Sequence, residues 1–417
     1  MTSILDRRSL RLADVVAVDP PTWFGETLPR LIAENGELAR SAVYRLGLQP
    51  MLIEVVDDGV EVASGVIGGS GGQSIADQAV DEPLVVTLSP AAFSDWVNWI
   101  ANVQRLMMSG DLTFCGGSQW SLLGWQLVLR TLTHGVPVHE PGSVTFVDRS
   151  GQTLDLHRIF GPDDDPADIR HFLSEAGYLH LRGWLDPQDM AVIAQDIERA
   201  VSLYAPGDGR SWWATLESGE EVCVRMLRFI EHSERTAAIL GGPIWERVRE
   251  AIGGGQLVAP QVSGNVIEGL IKPIGVVSGL SDVPWHRDCS LGSHPFKCSG
   301  VVAGISVTEG TIETGLLRAV AGSHRTATVD DPEWAWNDLP VVPLPTQVGD
   351  ITVHLPCTIH EALPPRVRPR KVMYTGFGCP DVGDIAYAGA LPARDVRNEA
   401  HKLVSQPDNA TRTGPTA

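Results

Sequence analysis

Apolar residues recur with two different periods along the first third of the chain. The stretch WFGETLPRLIAENGELARSAVYRLG (residues 23–47) is helix-like at its start and more mixed towards its end. MLIEVVDDGVEVASG places two β-rich runs around Asp57-Asp58-Gly59, which predicts a hairpin. GVIGGSGGQS (65–74) reads as a loop. EPLVVTLSPAAFSDWVNWI runs from strand into helix, with Ser89 placed to cap and Pro90 at the first helical position. MMSGDLTFCGG holds a strand and WSLLGWQLVLRTL an apolar helix. Residues 134–168, with Pro141-Gly142 and the acidic GPDDDPAD, read as a connector. A second unit then opens with the strand YLHLRGWL, a cap at Asp186 and Pro187 at the start of a helix. Met190, Ile193, Ile197 and Val201 give that helix its buried face. From about residue 256 the pattern becomes short β-rich runs broken by Gly and Pro, which predicts an antiparallel barrel or jelly roll.

At 417 residues the chain has room for two or three domains. A net charge of −19 argues against a nucleic-acid backbone as partner, which calls for concentrated Lys and Arg. No apolar run reaches about 18 residues, so no membrane span is expected. The first residues, MTSILDRRSLRLADVV, lack the apolar segment of a signal peptide. Six scattered cysteines (115, 223, 289, 298, 357 and 379) without a CxxC pair read as reduced thiols of a cytoplasmic protein.

Chemistry concentrates in the second unit. VPWHRDCS (283–290) sets His286 and Asp288 two apart, and an extended segment turns such a pair to one face. Imidazole and carboxylate together can hold a first-row divalent metal, and one further histidine would complete a facial triad with open positions. A lone His-x-Asp is more often a surface hydrogen-bonded pair. Downstream, VGDITVHLPCTIHEALPPRVRPRKVMYTGF offers His354 and His360, which have the same parity, and Arg370 ten residues after His360. An arginine there can pair bidentately with a carboxylate that a metal holds at its other end. Between these halves, GISVTEGTIETGLLRAVAGSHR reads as strand, loop and turn.

Five phrases in this order, GYLHLRGWLDPQDM, PWHRD, ETGLLRAVAGSHR, GDITVHLPCTIH and RPRK, resemble the phytanoyl-CoA dioxygenase family of iron(II)- and 2-oxoglutarate-dependent oxygenases over about residues 170–382. The resemblance implies a double-stranded β-helix (jelly-roll, cupin-like) domain with flanking helices. It implies that His286, Asp288 and His360 bind iron(II), with 2-oxoglutarate and O2 as cosubstrates, and that Arg370 grips the distal carboxylate of 2-oxoglutarate. It places Gln261 and Asn265, in PQVSGN, beside the cosubstrate. His354 then becomes an outer or packed residue, and His324 a turn residue near the site. The sequence departs from the pattern at Glu361-Ala362, where a glycine-serine pair is usual, and at Val372, where a small hydroxyl residue is common. Asp288 keeps the carboxylate that halide-binding relatives lack, which implies hydroxylation rather than halogenation, with desaturation or ring closure as further outcomes.

The helix, hairpin, strand, helix, strand, helix order of residues 20–133 resembles the sterol carrier protein 2 domain. The bland alternative is an unrelated α+β domain. The expected organisation is an α+β domain at 1–140, a linker at 141–168, the oxygenase domain at 169–385 and a tail at 386–417. Arg287, Cys289 and His294 read as exposed or inert loop residues. Of the basic PPRVRPRK cluster, only Arg370 is expected to point inwards. Tryptophan-rich loops at 212–213 and 334–336 are expected to wall a pocket or cover the core. The substrate expected is a small apolar one: a lipid, acyl compound or secondary metabolite. A lipid carrier with a degenerate oxygenase domain is the rival reading, and a zinc or manganese enzyme using the same triad is a third.

Overall fold

The computed structural model describes residues 16–68, 83–99, 101–254, 267–279, 283–288, 300–328 and 338–378. Gln261, Asn265, Cys289, His294, Trp334, Trp336 and the tail at 386–417 lie outside them.

The N-terminal unit is a four-stranded sheet with helices packed on it. Strands β1 (Met51–Asp57) and β2 (Val60–Ile67) form the hairpin, turned by Asp58 and Gly59 at φ 47 and 81. Two successive positive φ values match the right-handed twist of the strands and suit an Asp-Gly pair. Strand β3 (Leu84–Leu88) runs parallel to β1, and β4 (Leu112–Cys115) closes the order β2-β1-β3-β4. The helix Leu28–Arg45 continues through the segment that looked mixed, because Leu28, Leu31, Ala39, Ala42 and Val43 keep one buried stripe. Ser89 caps Pro90–Val97 by accepting from the Ala92 N–H. The residues before β4 are helical, Val103–Ser109, so the strand starts later than the apolar run. The closing helix Gln119–His134 ends on Gly135 at φ 65. These elements share a core from Trp23 to Val138, joined by Ala327 from the second half.

Two antiparallel sheets make the second half. The larger joins β5 (Tyr178–Leu181), β6 (Ser211–Leu216), β7 (Glu221–Met226), β8 (Glu268–Lys272) and β9 (Val276–Ser278) with strands further on. The smaller contains β10 (Val283–His286). Next along the chain come β11 (Gly300–Ser306), β12 (Leu317–Val320), β13 (Val341–Leu344), β14 (Ile351–His354), β15 (His360–Ala362) and β16 (Arg370–Gly378). The orders are β5-β14-β11-β16-β8-β7-β6-β9 and β10-β15-β12-β13. Among the described residues these remain open sheets and close no barrel. Trp212 and Trp213, read as a loop, lie in β6 with a bulge between them.

Helices Pro166–Ala176, Pro187–Ala200 and Pro243–Gly253 cover the apolar face of the larger sheet, where Leu179, Ala303, Ile305, Ile351, Val353 and Met373 are buried. Asp186 caps the second of these, and Met190, Ile193 and Ile197 are buried along it. The connector adds Leu154 and Phe160 to this core, and Phe160 bridges to Leu181. The halves meet where Val138 pairs with Ala327 and the buried His139 bonds Asp338 at 2.7 Å.

One buried network ties β5 to the turn before β14. Asp350 accepts from His180 Nε2 (2.8 Å), Arg182 Nη2 (2.8 Å) and the Gln347 N–H (2.8 Å). Burial pushes its carboxyl up, but these donors together outweigh burial and hold it below the ordinary range. The lowered folded value means Asp350 contributes stability above the unfolded carboxylate range, lost as pH falls through that range. Asp350→Ala leaves a buried imidazole and a half-buried guanidinium without their partner and is expected to cost about 3 kcal/mol. Urea unfolding of the full chain at pH 7 measures it, and the gap between variant and wild type should shrink below about pH 4.

Candidate metal centre

The candidate ligands His286, Asp288 and His360 all come from the smaller sheet and the residues just after its first strand, and His354 meets them from the larger one. His286 ends β10 and pairs in register with His360 at the start of β15. Side chains paired in an antiparallel ladder share a face, and the two imidazoles sit 4.2 Å apart, centroid to centroid. Asp288 follows just beyond β10 and returns to the same space. Its Oδ1 is 3.5 Å from His286 Nε2 and its Oδ2 is 3.7 Å from His360 Nε2. The donor atoms of His286, Asp288 and His360 all lie within 4.8 Å of one another.

His354 arrives from the other sheet. The strand is broken after it, so His354 ends β14 in the larger sheet while His360 opens β15 in the smaller. The shared parity therefore has a different origin from the one expected. His354 is buried, its ring lies 4.1 Å from that of His360, and its Nε2 is 3.0 Å from Asp288 Oδ2.

The protonation states suit a metal. His360 Nδ1 donates to the Thr358 carbonyl at 2.9 Å, leaving Nε2 with its lone pair towards Asp288. Burial, with His354 and His286 nearby, holds His360 neutral, well below the usual imidazole range. Burial alone would raise Asp288, yet His360, His286 and His354 together hold it well below the carboxylate range. Neutral imidazoles and an ionised carboxylate are the forms that bind a divalent cation, so the residues present fit iron(II).

Arg287 is not the exposed loop residue expected. It is buried, with Nε donating to the Cys357 carbonyl (2.9 Å) and Nη1 to that of Thr328 (3.1 Å). It pins the ligand segment to the loop that leads into His360. His324 lies at a turn, as expected, where Nε2 bonds the Ser174 carbonyl at 2.9 Å, and burial pushes it down to about 4.

Arg370 opens β16 with 4% of its surface exposed. Its Nη1 donates to the Gly315 carbonyl at 2.6 Å, while its Nε is buried without a hydrogen-bond partner among the described residues. No described carboxylate pairs with it, which is a costly state for a buried charge unless an anion arrives. Arg370 and Thr346 pack closely against Gly310, where a Cβ would lie 3.1 Å from Arg370 Nη1 and 2.6 Å from Thr346 Oγ1. Arg366 and Arg368 are exposed. Arg368 and Lys371 pair with Glu309 and Glu198.

Sequence reasoning missed Lys272. It lies opposite Arg370 in the β8–β16 ladder, is equally buried, and donates to the carbonyls of Ala362 (3.3 Å) and Leu363 (2.7 Å). A lysine inside the β-rich run EGLIK was the available signal. Two departures from the family pattern have structural explanations. Glu361 alternates away from His360 and pairs across strands with Arg318, whose guanidinium lies 5.2 Å from the Trp285 ring centre. Val372 is buried opposite Ser306, and Ser306 Oγ donates to Thr346 Oγ1 at 2.7 Å. Hydroxyls thus stand beside that position on neighbouring strands.

The register also defines a polar row across the larger sheet, on the face that carries His354: Thr352, Gly304, Tyr374 and Glu268 are aligned across β14, β11, β16 and β8. His354, Val302 and Gly376 lie in a neighbouring row of the same face, and Leu270, Arg225 and Trp212 in another. Tyr374 lies within the fields of Arg370, Asp288 and Arg225, and burial raises its hydroxyl. Beyond it, Arg225 pairs with Glu268 and stacks on Trp212, its guanidinium carbon 4.4 Å from the ring centre.

Two histidines and a carboxylate with mutually close donor atoms make a candidate metal centre on a pair of antiparallel sheets. Residues 173–368 are a phytanoyl-CoA dioxygenase (PhyH) family domain. This family consists of non-haem, 2-oxoglutarate-dependent enzymes that use iron(II), 2-oxoglutarate and O2. No curated protein matches the chain. Solved structures similar to it include the non-haem α-ketoglutarate-dependent epimerase SnoN from nogalamycin biosynthesis, at 22% identity and TM-score 0.40, covering 51% of this chain and 82% of that one. AviO1 from Streptomyces viridochromogenes Tue57 matches at 22% identity and TM-score 0.42, covering 52% and 96%. The carbocyclase SnoK from nogalamycin biosynthesis matches at 18% and 0.40, covering 52% and 84%. No helix among the described residues is long and apolar enough to cross a membrane.

Proposed function

We propose that the chain is an iron(II)- and 2-oxoglutarate-dependent oxygenase acting on a small molecule, with His286, Asp288 and His360 as the iron ligands. The observation that carries this reading is the convergence of those three donors beside a buried arginine that no described carboxylate neutralises. Bound iron with 2-oxoglutarate and O2 would supply the power to oxidise a substrate C–H bond, one oxygen atom passing to the succinate formed with carbon dioxide and the other to the substrate.

The chain's own residues do the positioning. The Thr358 carbonyl fixes the His360 tautomer. Arg370, with Lys272 across the ladder, offers positive charge for the distal carboxylate of 2-oxoglutarate and so orients the opposite end of the cosubstrate towards the three ligands. Asp288 occupies the place of the carboxylate ligand, which favours hydroxylation over halogenation. The polar row leading to Arg225, Glu268 and Trp212 favours a substrate with hydrogen-bonding groups on its body, and tempers the expectation of a wholly apolar one. Convergence of the donors weighs against a carrier with a degenerate site.

The test is an anaerobic titration of the full chain with iron(II) and 2-oxoglutarate. A visible charge-transfer band is expected in wild type and its loss in His286→Ala. A well-folded wild type without the band would sink the reading.

A further inference from the structure

Asp288 has two oxygens, and only one of them is needed to hold a metal. A carboxylate that turned both oxygens to the cation would occupy a position that the cosubstrate or dioxygen requires. Something must therefore decide its rotation, and burial alone does not.

His354 is placed to do so. It lies at the end of β14, in the sheet opposite the one that carries His286 and His360. It has 1% of its surface exposed, so its ring cannot swing out to solvent. The His360 imidazole packs against that ring at 4.1 Å, with the planes tilted by 43°. In that position Nε2 reaches Asp288 Oδ2 at 3.0 Å.

The direction of this hydrogen bond is settled by chemistry. An ionised carboxylate only accepts, so His354 Nε2 carries the proton and donates. A nitrogen that holds a proton for Oδ2 has no lone pair for a cation. The other nitrogen, Nδ1, is buried with no hydrogen-bond partner among the described residues, and His354 is absent from the group of mutually close donors formed by His286, Asp288 and His360. His354 thus lies next to the centre without belonging to the ligand set, although its Nε2 is closer to Asp288 (3.0 Å) than the Nε2 of His360 is (3.7 Å).

We infer that His354 is a positioning residue that holds Asp288 by Oδ2, so that the carboxylate presents Oδ1 alone beside His286. The inference rests on the metal-centre reading and adds a function for the fourth histidine. Clamping Oδ2 from the larger sheet also couples the two sheets through the ligand itself. Asp288 is supplied by the segment after β10, in the smaller sheet, and its orientation is set by β14, in the larger one. Partners of this kind typically contribute 10–100-fold to metal affinity.

Cobalt(II), which reports coordination through its visible absorption, provides the test on the full-length apo chain. Wild type, His354→Ala, His354→Gln and His360→Ala are titrated, with unfolding curves of the apo forms to verify folding. Wild type is expected to bind one cobalt(II). His354→Ala should bind about 10–100-fold more weakly and with an altered visible spectrum, because the carboxylate is free to rotate. The amide N–H of His354→Gln can still donate to Oδ2 and should restore most of the affinity and the wild-type spectrum. His360→Ala should lose the site. Wild-type affinity and spectrum in His354→Ala overturn the inference and leave the centre intact. Loss of binding in both His354 variants with retention in His360→Ala overturns it too, by making His354 the ligand. Wild type that binds no cobalt(II) overturns the metal centre and this inference with it.

Discussion

Arg370→Ala is expected to raise the 2-oxoglutarate concentration needed for the charge-transfer band by at least about 30-fold, while leaving iron(II) binding in the absence of cosubstrate unchanged. Removing one partner from a buried, hydrogen-bonded charge pair costs about 2–5 kcal/mol, and each 1.4 kcal/mol is roughly tenfold in affinity. The guanidinium meets the conditions for the upper part of that range. It is buried, it is anchored through Nη1 to the Gly315 carbonyl, and it packs closely against Gly310, which has no side chain to displace it. Arg370→Lys keeps the charge and loses the fork, so it should fall between wild type and alanine. Lys272→Met separates the two cations: a loss smaller than that of Arg370→Ala would make Arg370 the principal anchor. Equal 2-oxoglutarate dependence in wild type and Arg370→Ala would remove the arginine from the cosubstrate site.

The parts of this site that were legible in the sequence are those that local geometry fixes. His286 and Asp288 stand two apart, and although β10 ends at His286, so short a separation keeps Asp288 beside it once the chain bends. Arg370 announced itself by lying within a β-rich run beside exposed basic neighbours, and it alone of the cluster alternates inwards. The histidine pair was harder. Equal parity in His354 and His360 suggests one continuous strand, yet the chain leaves the larger sheet after His354 and enters the smaller at His360. Parity within a strand says nothing about a crossing between sheets. Arg287 and Lys272 were not legible for a different reason. Each is buried because carbonyls far along the chain accept its protons, those of Thr328 and Cys357 for Arg287 and those of Ala362 and Leu363 for Lys272. A charged side chain in isolation reads as solvated, and only tertiary structure supplies such acceptors. Trp212 and Trp213 lie in a strand although they read as a loop, because the bulge between them interrupts the alternation that marks a strand. The expected N-terminal element order is present, except that a helix precedes β4, but order is shared by many small α+β units and carries no chemistry.

His360→Ala should abolish metal binding rather than weaken it, and it should do so with less harm to the fold than its burial suggests. Three donors hold the cation, and loss of one removes a bond that no other described side chain can replace. His354 is the nearest imidazole, but its Nε2 proton is committed to Asp288 Oδ2 and its Nδ1 is the far side of the ring. The expected fall in affinity therefore exceeds the 10–100-fold of a lost outer partner. The apo fold is less affected because, among the described residues, the His360 ring bonds a carbonyl only two residues away, and burial with the neighbouring imidazoles disfavours its charge. Burial and the neighbouring imidazoles already hold it neutral, so alanine removes no buried ion. Apo His360→Ala should consequently unfold in urea within about 1–2 kcal/mol of wild type, whereas adding iron(II) or cobalt(II) should stabilise wild type and leave the variant where it was, since only a cation that binds the folded state shifts the equilibrium. A variant that is stabilised by metal as strongly as wild type would assign the third bond to another residue, with His354 the first to be tested.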